Sequence, residues 1–377
     1  MPSLLWKTDL NRGPVRVVSG RFVTLGGDIA ASVESNIFLL VPENVEYRLY
    51  STYSAGETVS GLAVIRAGFK AEGLAAVTPG RVLVLGNRGG ALTLISQSAA
   101  VPGANFSDVA AGDLDGDGRD EIVAAAPGEE NIYVYRLAGE NNMSLELVGI
   151  RTVPGVPRYV TVFDRPEGGR AIAVAYDKDE TAGLATYTLT EGGFAEGAGL
   201  TGQPLMITAM TSGNFEEKPG SELALGSVGG MVWVVGTGRM LEVLQVTDSL
   251  GTLVSTLASS QEDLSKMAAG TPEGNVFIFN YPVKRMPDQA FSPVEGVTGL
   301  AFLPGERISV GTREGGLQIW SLKPEGATWN YVVRPGDTLW TISKRYGVSV
   351  EQIISLNPTL KNPEVIMPGQ VIKMPAG

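Results

Sequence analysis

Seven times along its length the sequence returns to one pattern. A strand with small residues leads through a turn to a second apolar strand, and then to a third ending in an aromatic or aliphatic pair. The copies start at Val15, Gly61, Phe106, Arg158, Leu205, Gly251 and Val297, a spacing of about 45 to 50 residues. That spacing fits a four-stranded propeller blade, which cannot bury its faces alone and must stack on neighbours. The expected fold is mostly β, a seven-bladed β-propeller over residues 1–322. The seventh copy stops after three strands, and Ser3 to Thr8 stand before the first. This N-terminal stretch is expected to supply the missing outer strand and so remove an exposed edge. A β-sandwich array is the competing architecture, against which the short, even spacing argues. Trp233, Phe277, Phe279 and Trp320 lie at strand spacing and read as core between blades.

The third copy carries an acidic, glycine-rich loop between two strands. Asp113, Asp115 and Asp117 alternate along it, with Gly118 where the chain turns and Glu121 beyond. Hard carboxylate oxygens at that spacing suit Ca²⁺, although Asp and Gly are also ordinary turn residues. An EF-hand is excluded, because its twelfth position would be Ala124 and its flanks read as strands. The segment FSDVAAGDLDGDGRDEIVAAAPGEENIYVYRL resembles the FG-GAP, or integrin-type, propeller repeat. The resemblance implies one structural Ca²⁺, held by the side chains of Asp113, Asp115, Asp117 and Glu121 and the carbonyl of Arg119. In the fifth copy Asn214, Glu216, Lys218 and Glu222 fall at the corresponding positions, and Lys218 is expected to stand in for a metal. In the fourth, Asp164 is followed by Pro166 and Gly168, and the second, sixth and seventh loops read as shortened.

With no Cys and no His, the chain has no disulfide, no thiolate or imidazole metal site and no histidine-dependent triad. A net charge of −11 without a basic stripe argues against nucleic acid as a partner. No apolar run approaches the length of a membrane span, so no membrane insertion is expected. The opening residues MPSLLWKTDLNRG lack the features of a secretory signal, which leaves the export route open.

After a linker at 323–328 the character changes. Over 329–377 the order reads strand, helix, helix, strand: Tyr331 to Val333, a helix through Leu339, Ile342 and Tyr346 with Asp337 as its N-cap and Gly347 as its stop, a second helix opened by the Ser349–Gln352 capping box, and Val371 to Met374. The stretches YVVRPGDTLWTISKRYGVSVEQIISLNP and IMPGQVIKMP resemble the LysM domain. The resemblance implies binding of N-acetylglucosamine-containing glycans, peptidoglycan or chitin-type, between two loops. Mapped here these are Gly336, Asp337, Thr338 and Leu339 on one side and Asn357, Pro358, Val365 and Ile366 on the other. Leu339 and Ile366 also read as core, Asp337 as a cap and Asn357–Pro358 as a helix stop.

The expected function is non-catalytic: a protein of the cell wall, spore surface or extracellular space, held on glycan by the LysM module, its propeller serving as a platform for another envelope protein or for self-assembly. No acid pair outside the calcium loop stands out as catalytic. A LysM-targeted polysaccharide-degrading enzyme and an intracellular scaffold are the alternatives.

Overall fold

The computed structural model describes every residue except 1, 45, 67, 69–70, 140–142, 204–205, 261–263, 294, 324–327, 358–359, 361–365 and 376–377. Seven four-stranded antiparallel sheets form the blades, over 16–54, 61–97, 108–152, 156–203, 207–246, 256–291 and 297–321. The seventh takes its outer strand from the other end of the chain. Ser3–Asp9 pairs with Gly316–Ser321, Ser3 opposite Ser321 and Asp9 opposite Gly316. The first strands of successive blades touch one another around a closed ring, blade 7 meeting blade 1.

Each second strand is sandwiched between neighbouring sheets. Every residue of Asp28–Val33, Gly73–Thr78, Glu121–Ala126, Glu222–Ser227, Met267–Gly270 and Arg307–Thr312 is buried. Their Ala, Ser and Gly content lets sheets approach closely. At Gly112, which ends the first strand of blade 3, an added Cβ would lie 2.6 Å from Val162 Cγ1 of blade 4. The four aromatic residues expected between blades are there: Phe279 is fully buried, and Phe277, Trp233 and Trp320 pack partly buried against inter-blade clusters.

A side chain near the start of each first strand ties most blades to the next. Ser60 Oγ donates to the Phe106 carbonyl, Ser107 Oγ to Arg158 (3.2 Å), Thr208 Oγ1 to Val254 (2.7 Å), Ser255 Oγ to Val297 (2.7 Å) and Thr298 Oγ1 to Val15 (2.9 Å). In blade 1 Arg16 takes this place, donating from Nη1 to the Val59 carbonyl at 3.2 Å. The opposite face is stitched by charge, through Arg21–Glu72 (2.7 Å), Arg66–Asp120 (2.9 Å) and Lys266–Glu306 (3.0 Å). Of the three loops expected to be short, only that of blade 7 (304–306) is. The blade 2 and blade 6 connections, 66–72 and 260–266, are close in length to 113–120 of blade 3.

The C-terminal module pairs Thr328–Val332 with Val371–Pro375 and lays α1 (Leu339–Tyr346) and α2 (Val350–Leu356) against them. Its separate core includes Tyr331, Leu339, Ile342, Ile353, Ile372 and Met374. The cap of α1 corrects the expectation. Thr338, not Asp337, is the N-cap, sharing a capping box with Thr341, while Gly347 ends the helix in the left-handed conformation as expected. The Asp337 carboxylate instead accepts from Tyr331 Oη and the Arg334 amide and pairs with Arg345. The Ser349–Gln352 box is formed. The end of α1 rests on the propeller: a Cβ at Gly347 would lie 2.2 Å from Arg307 Nη1 and 2.7 Å from the Asn44 carbonyl.

Candidate functional sites: an acidic loop and a two-loop groove

The acidic loop joins the first strand of blade 3 (Asp108–Gly112) to its second (Glu121–Ala126). Gly116 and Gly118 have φ of +81° and +87°, which only glycine adopts without strain, and they fold the loop back on itself. Carboxylate oxygens of Asp113, Asp115 and Asp117 come within 4.8 Å of one another, Asp115 and Asp117 exposed. Backbone amides organise them: Asp113 accepts from Gly116 (2.7 Å) and Gly118 (3.0 Å), Asp115 from Asp117 (3.2 Å) and Asp117 from Arg119 (2.8 Å).

Glu121 stands outside that group. It is buried, and its Oε2 accepts from the Leu114 amide at 2.9 Å while Oε1 accepts from Arg136 Nε at 3.0 Å. Burial pushes its carboxyl above the ordinary range, opposed by the Leu114 amide and by Arg136. Arg136 also pairs with Asp115, so one guanidinium bridges two of the expected ligands. Sequence reasoning passed over this residue. Its signal was the lone charge in the strand Asn131–Ala138, which after Asn131 is otherwise apolar and aromatic.

The buried acid is a recurring device. In blade 5 Glu222 accepts from the amides of Phe215 (2.8 Å) and Glu216 (3.2 Å), and in blade 1 Asp28 accepts from Val23 (2.7 Å) and Thr24 (2.8 Å). All three begin a second strand and hold the preceding loop by its backbone. Lys218, expected to neutralise the blade 5 loop, is exposed and forms no ion pair among the described residues.

In the C-terminal module the chain just before the first loop is bonded to the turn that precedes the last strand: the Val333 amide donates to the Gln370 carbonyl and the Gly369 amide to the Val333 carbonyl, both at 2.8 Å. Gly336 and Thr338 are exposed on one side, and Ile366 packs partly buried on the other. Leu339 belongs to the core. Asn357 is buried and fully engaged, donating to the Ile353 and Lys373 carbonyls (both 2.7 Å) and accepting from the Lys373 amide (2.8 Å), so it clamps α2 to the last strand. Pro358 and Val365 lie outside the described residues. Burial opposes the charge on Asp337, but Tyr331, the Arg334 amide and Arg345 outweigh it and hold its carboxyl below the ordinary value. Burial, with the bond to Asp337, pushes the Tyr331 hydroxyl up to about 12. Trp340 and Met367, 62% and 66% exposed beside these loops, are apolar surface that the sequence did not single out as functional.

Residues 331–375 match the LysM domain, and residues 105–135 match the FG-GAP repeat. Three relatives share the LysM stretch or its surroundings: SpoIVD-associated factor A of Bacillus subtilis (50% identical over 46 residues), spore coat assembly protein ExsA of Bacillus cereus (48% over 46) and an endolysin of Bacillus phage B103 (40% over 74). These alignments cover 12%, 12% and 19% of this chain and 12%, 7% and 26% of the respective relatives, so the chain spans a small part of each. The fold is similar to that of Raptor from Chaetomium thermophilum (TM-score 0.64, 15% identity, 85% of this chain and 29% of that one). It is also similar to Sqt1 of Saccharomyces cerevisiae (TM-score 0.59, 14% identity, 89% and 93%). At such identities the likeness concerns fold alone.

Proposed function

We propose that the protein is a non-catalytic component of a bacterial cell wall or spore surface. Its LysM module holds it on an N-acetylglucosamine-containing glycan, and its propeller offers a rigid platform for another envelope protein or for further copies of itself. The observation that carries this reading is the LysM match over 331–375. The spore-associated names of two relatives that share this stretch support the setting. The exposed backbone around Gly336 and Thr338 suits recognition of acetamide groups, and Ile366 and Met367 offer apolar cover for the acetyl methyl. A single small module binds weakly, so a repetitive polymer or several copies would supply avidity.

Within this reading the blade 3 loop holds Ca²⁺. Asp113, Asp115 and Asp117 supply hard oxygens on a glycine-folded loop, with the Arg119 carbonyl and Glu121 as further ligands once Arg136 gives way. The ion would lock the loop as a structural element.

Sedimentation with purified peptidoglycan tests the main proposal, comparing the intact protein with a chain ending at Leu322, which keeps the closing strand. Retention of the intact chain alone, competed by N-acetylglucosamine oligomers and without release of soluble sugar, is expected. Soluble fragments in the supernatant would make the protein an enzyme, and failure of both chains to sediment would remove the wall reading. Melting with Ca²⁺ or EDTA tests the metal: Ca²⁺ should raise Tm, and Asp115→Asn with Asp117→Asn should abolish the rise.

A further inference from the structure

A cleft of about 920 Å³ opens where α1 of the LysM module overhangs blades 1 and 2. Its volume lies within the roughly 300–1,000 Å³ of pockets that enclose small ligands. Trp340 and Lys344, one turn apart on α1, form the LysM wall. Tyr50 and Arg48 face them from the outer strand of blade 1, Glu46–Ser54, and Gly118 of the acidic loop lies in the lining as well.

The charges in this cleft run against those of the molecule. Arg21, Arg48, Arg66 and Lys344 line it against two carboxylates, Glu43 and Glu72, in a chain of net charge −11. Two of the cations are committed elsewhere, Arg21 to Glu72 at 2.7 Å and Arg66 to the buried Asp120 at 2.9 Å. The other two are held less tightly. Arg48 has only a 3.5 Å contact with Glu43, both side chains more than half exposed, and Lys344 has no ion pair among the described residues. The exposed Trp340 and half-buried Tyr50, with Lys344 and the loosely paired Arg48, suit a sugar ring that carries a carboxylate: the ring lies on the aromatic surface and the acid meets the guanidinium or ammonium.

Position links this cleft to the groove. Trp340 directly follows Leu339, the last residue of the first groove loop, so a glycan leaving that loop along α1 crosses Trp340 and then Lys344. We infer that the cleft is a second subsite, which selects a carboxylate-bearing unit on the same glycan whose neutral sugar lies in the LysM groove. The inference rests on the glycan reading above. The carboxylate could belong to the lactyl ether of a muramic unit or to a peptide attached there.

Calorimetric titration of the full-length protein with three tetrasaccharides tests this: an N-acetylglucosamine tetramer, an alternating N-acetylglucosamine–N-acetylmuramic acid tetramer without peptide, and the same tetramer bearing stem peptides. At low salt the peptide-free acidic tetramer should bind about three- to fivefold tighter than the neutral one, the gain expected of one partly exposed charge pair. The double variant Arg48→Gln, Lys344→Gln should erase that preference and leave neutral binding unchanged, and Trp340→Ala should weaken the acidic ligand more than the neutral one. A gain seen only with the peptide-bearing tetramer, and lost in the double variant, supports the subsite and assigns the carboxylate to the peptide. Equal binding of all three by the unaltered protein, or a preference that survives the double variant, overturns the subsite and leaves the LysM reading standing. Binding of none of them overturns both.

Discussion

Asp108 shows how a single side chain can be set by its surroundings. It opens the first strand of blade 3, half-buried, and accepts from the Val160 amide of blade 4 at 3.0 Å. Burial pushes its carboxyl up to about 6, opposed by the Val160 and Val109 amides and by the charge of Arg16. Because the folded value lies above the unfolded one of about 3.9, the folded state holds this proton more tightly. Its contribution is fully present below pH 4 and lost as the pH rises to about 6. Asp108→Asn should therefore flatten the pH dependence of the denaturation midpoint in that window, by no more than about 2 to 3 kcal/mol. An unaltered slope would show that another group titrates there. Arg136 makes a second case. It pairs with two of the proposed calcium ligands, so Arg136→Gln should tighten Ca²⁺ binding by about three- to tenfold in a calorimetric titration. Weaker binding would mean that the guanidinium organises the loop instead of competing for it. The acidic loop was legible in sequence because Asp alternates with Gly between two strand-like runs. Arg136 was not, because a strand residue reaches a loop only once three strands are laid side by side.

At the scale of strands and helices, much of the reading rested on period and punctuation. The N-terminal stretch expected from Ser3 to Thr8 closes the ring as Ser3–Asp9, the missing fourth strand of the last blade. The helix starts show where local reasoning ends. Asp337 and Thr338 are both good caps, and the choice fell to Thr338 because Tyr331, in the preceding strand, and Arg345, near the end of α1, claim the aspartate. Thr338→Ala should cost about 1 kcal/mol, read as a lower denaturation midpoint of the LysM module. The seams between blades were also hidden, since a Ser or Thr before a strand looks like an ordinary turn residue. Thr298→Val and Ser60→Ala, which sever hydroxyl bonds at separate seams, should each cost about 1 kcal/mol and add in the double variant. A double variant costing much more than the sum would mean that the ring loosens as a unit.

The molecule as a whole is two cores joined where α1 ends. Arg307 is completely buried beneath Gly347, with Nε bonded to the Pro304 carbonyl at 2.9 Å and both terminal nitrogens without a hydrogen-bond partner among the described residues. Such a cation opposes the stability of the contact that covers it. Gly347→Ala adds a methyl where Arg307 Nη1 would lie 2.2 Å away and also strains a φ of +63°, so it should separate the modules and speed amide exchange around Arg307 and Asn44. Unchanged exchange would mean that the modules do not rest on each other there in solution. Ring closure bears on how the chain is made. Ser3–Asp9 is made before the six blades that separate it from its partner in the last one, so it must wait unpaired while they are synthesised. Until Gly316–Ser321 emerges the nascent propeller is an open arc with two sticky ends, and a second unfinished chain nearby could lend the strand that the first still lacks. Slow or crowded synthesis therefore favours strand-exchanged dimers, and a helper that holds Ser3–Asp9 would suppress them.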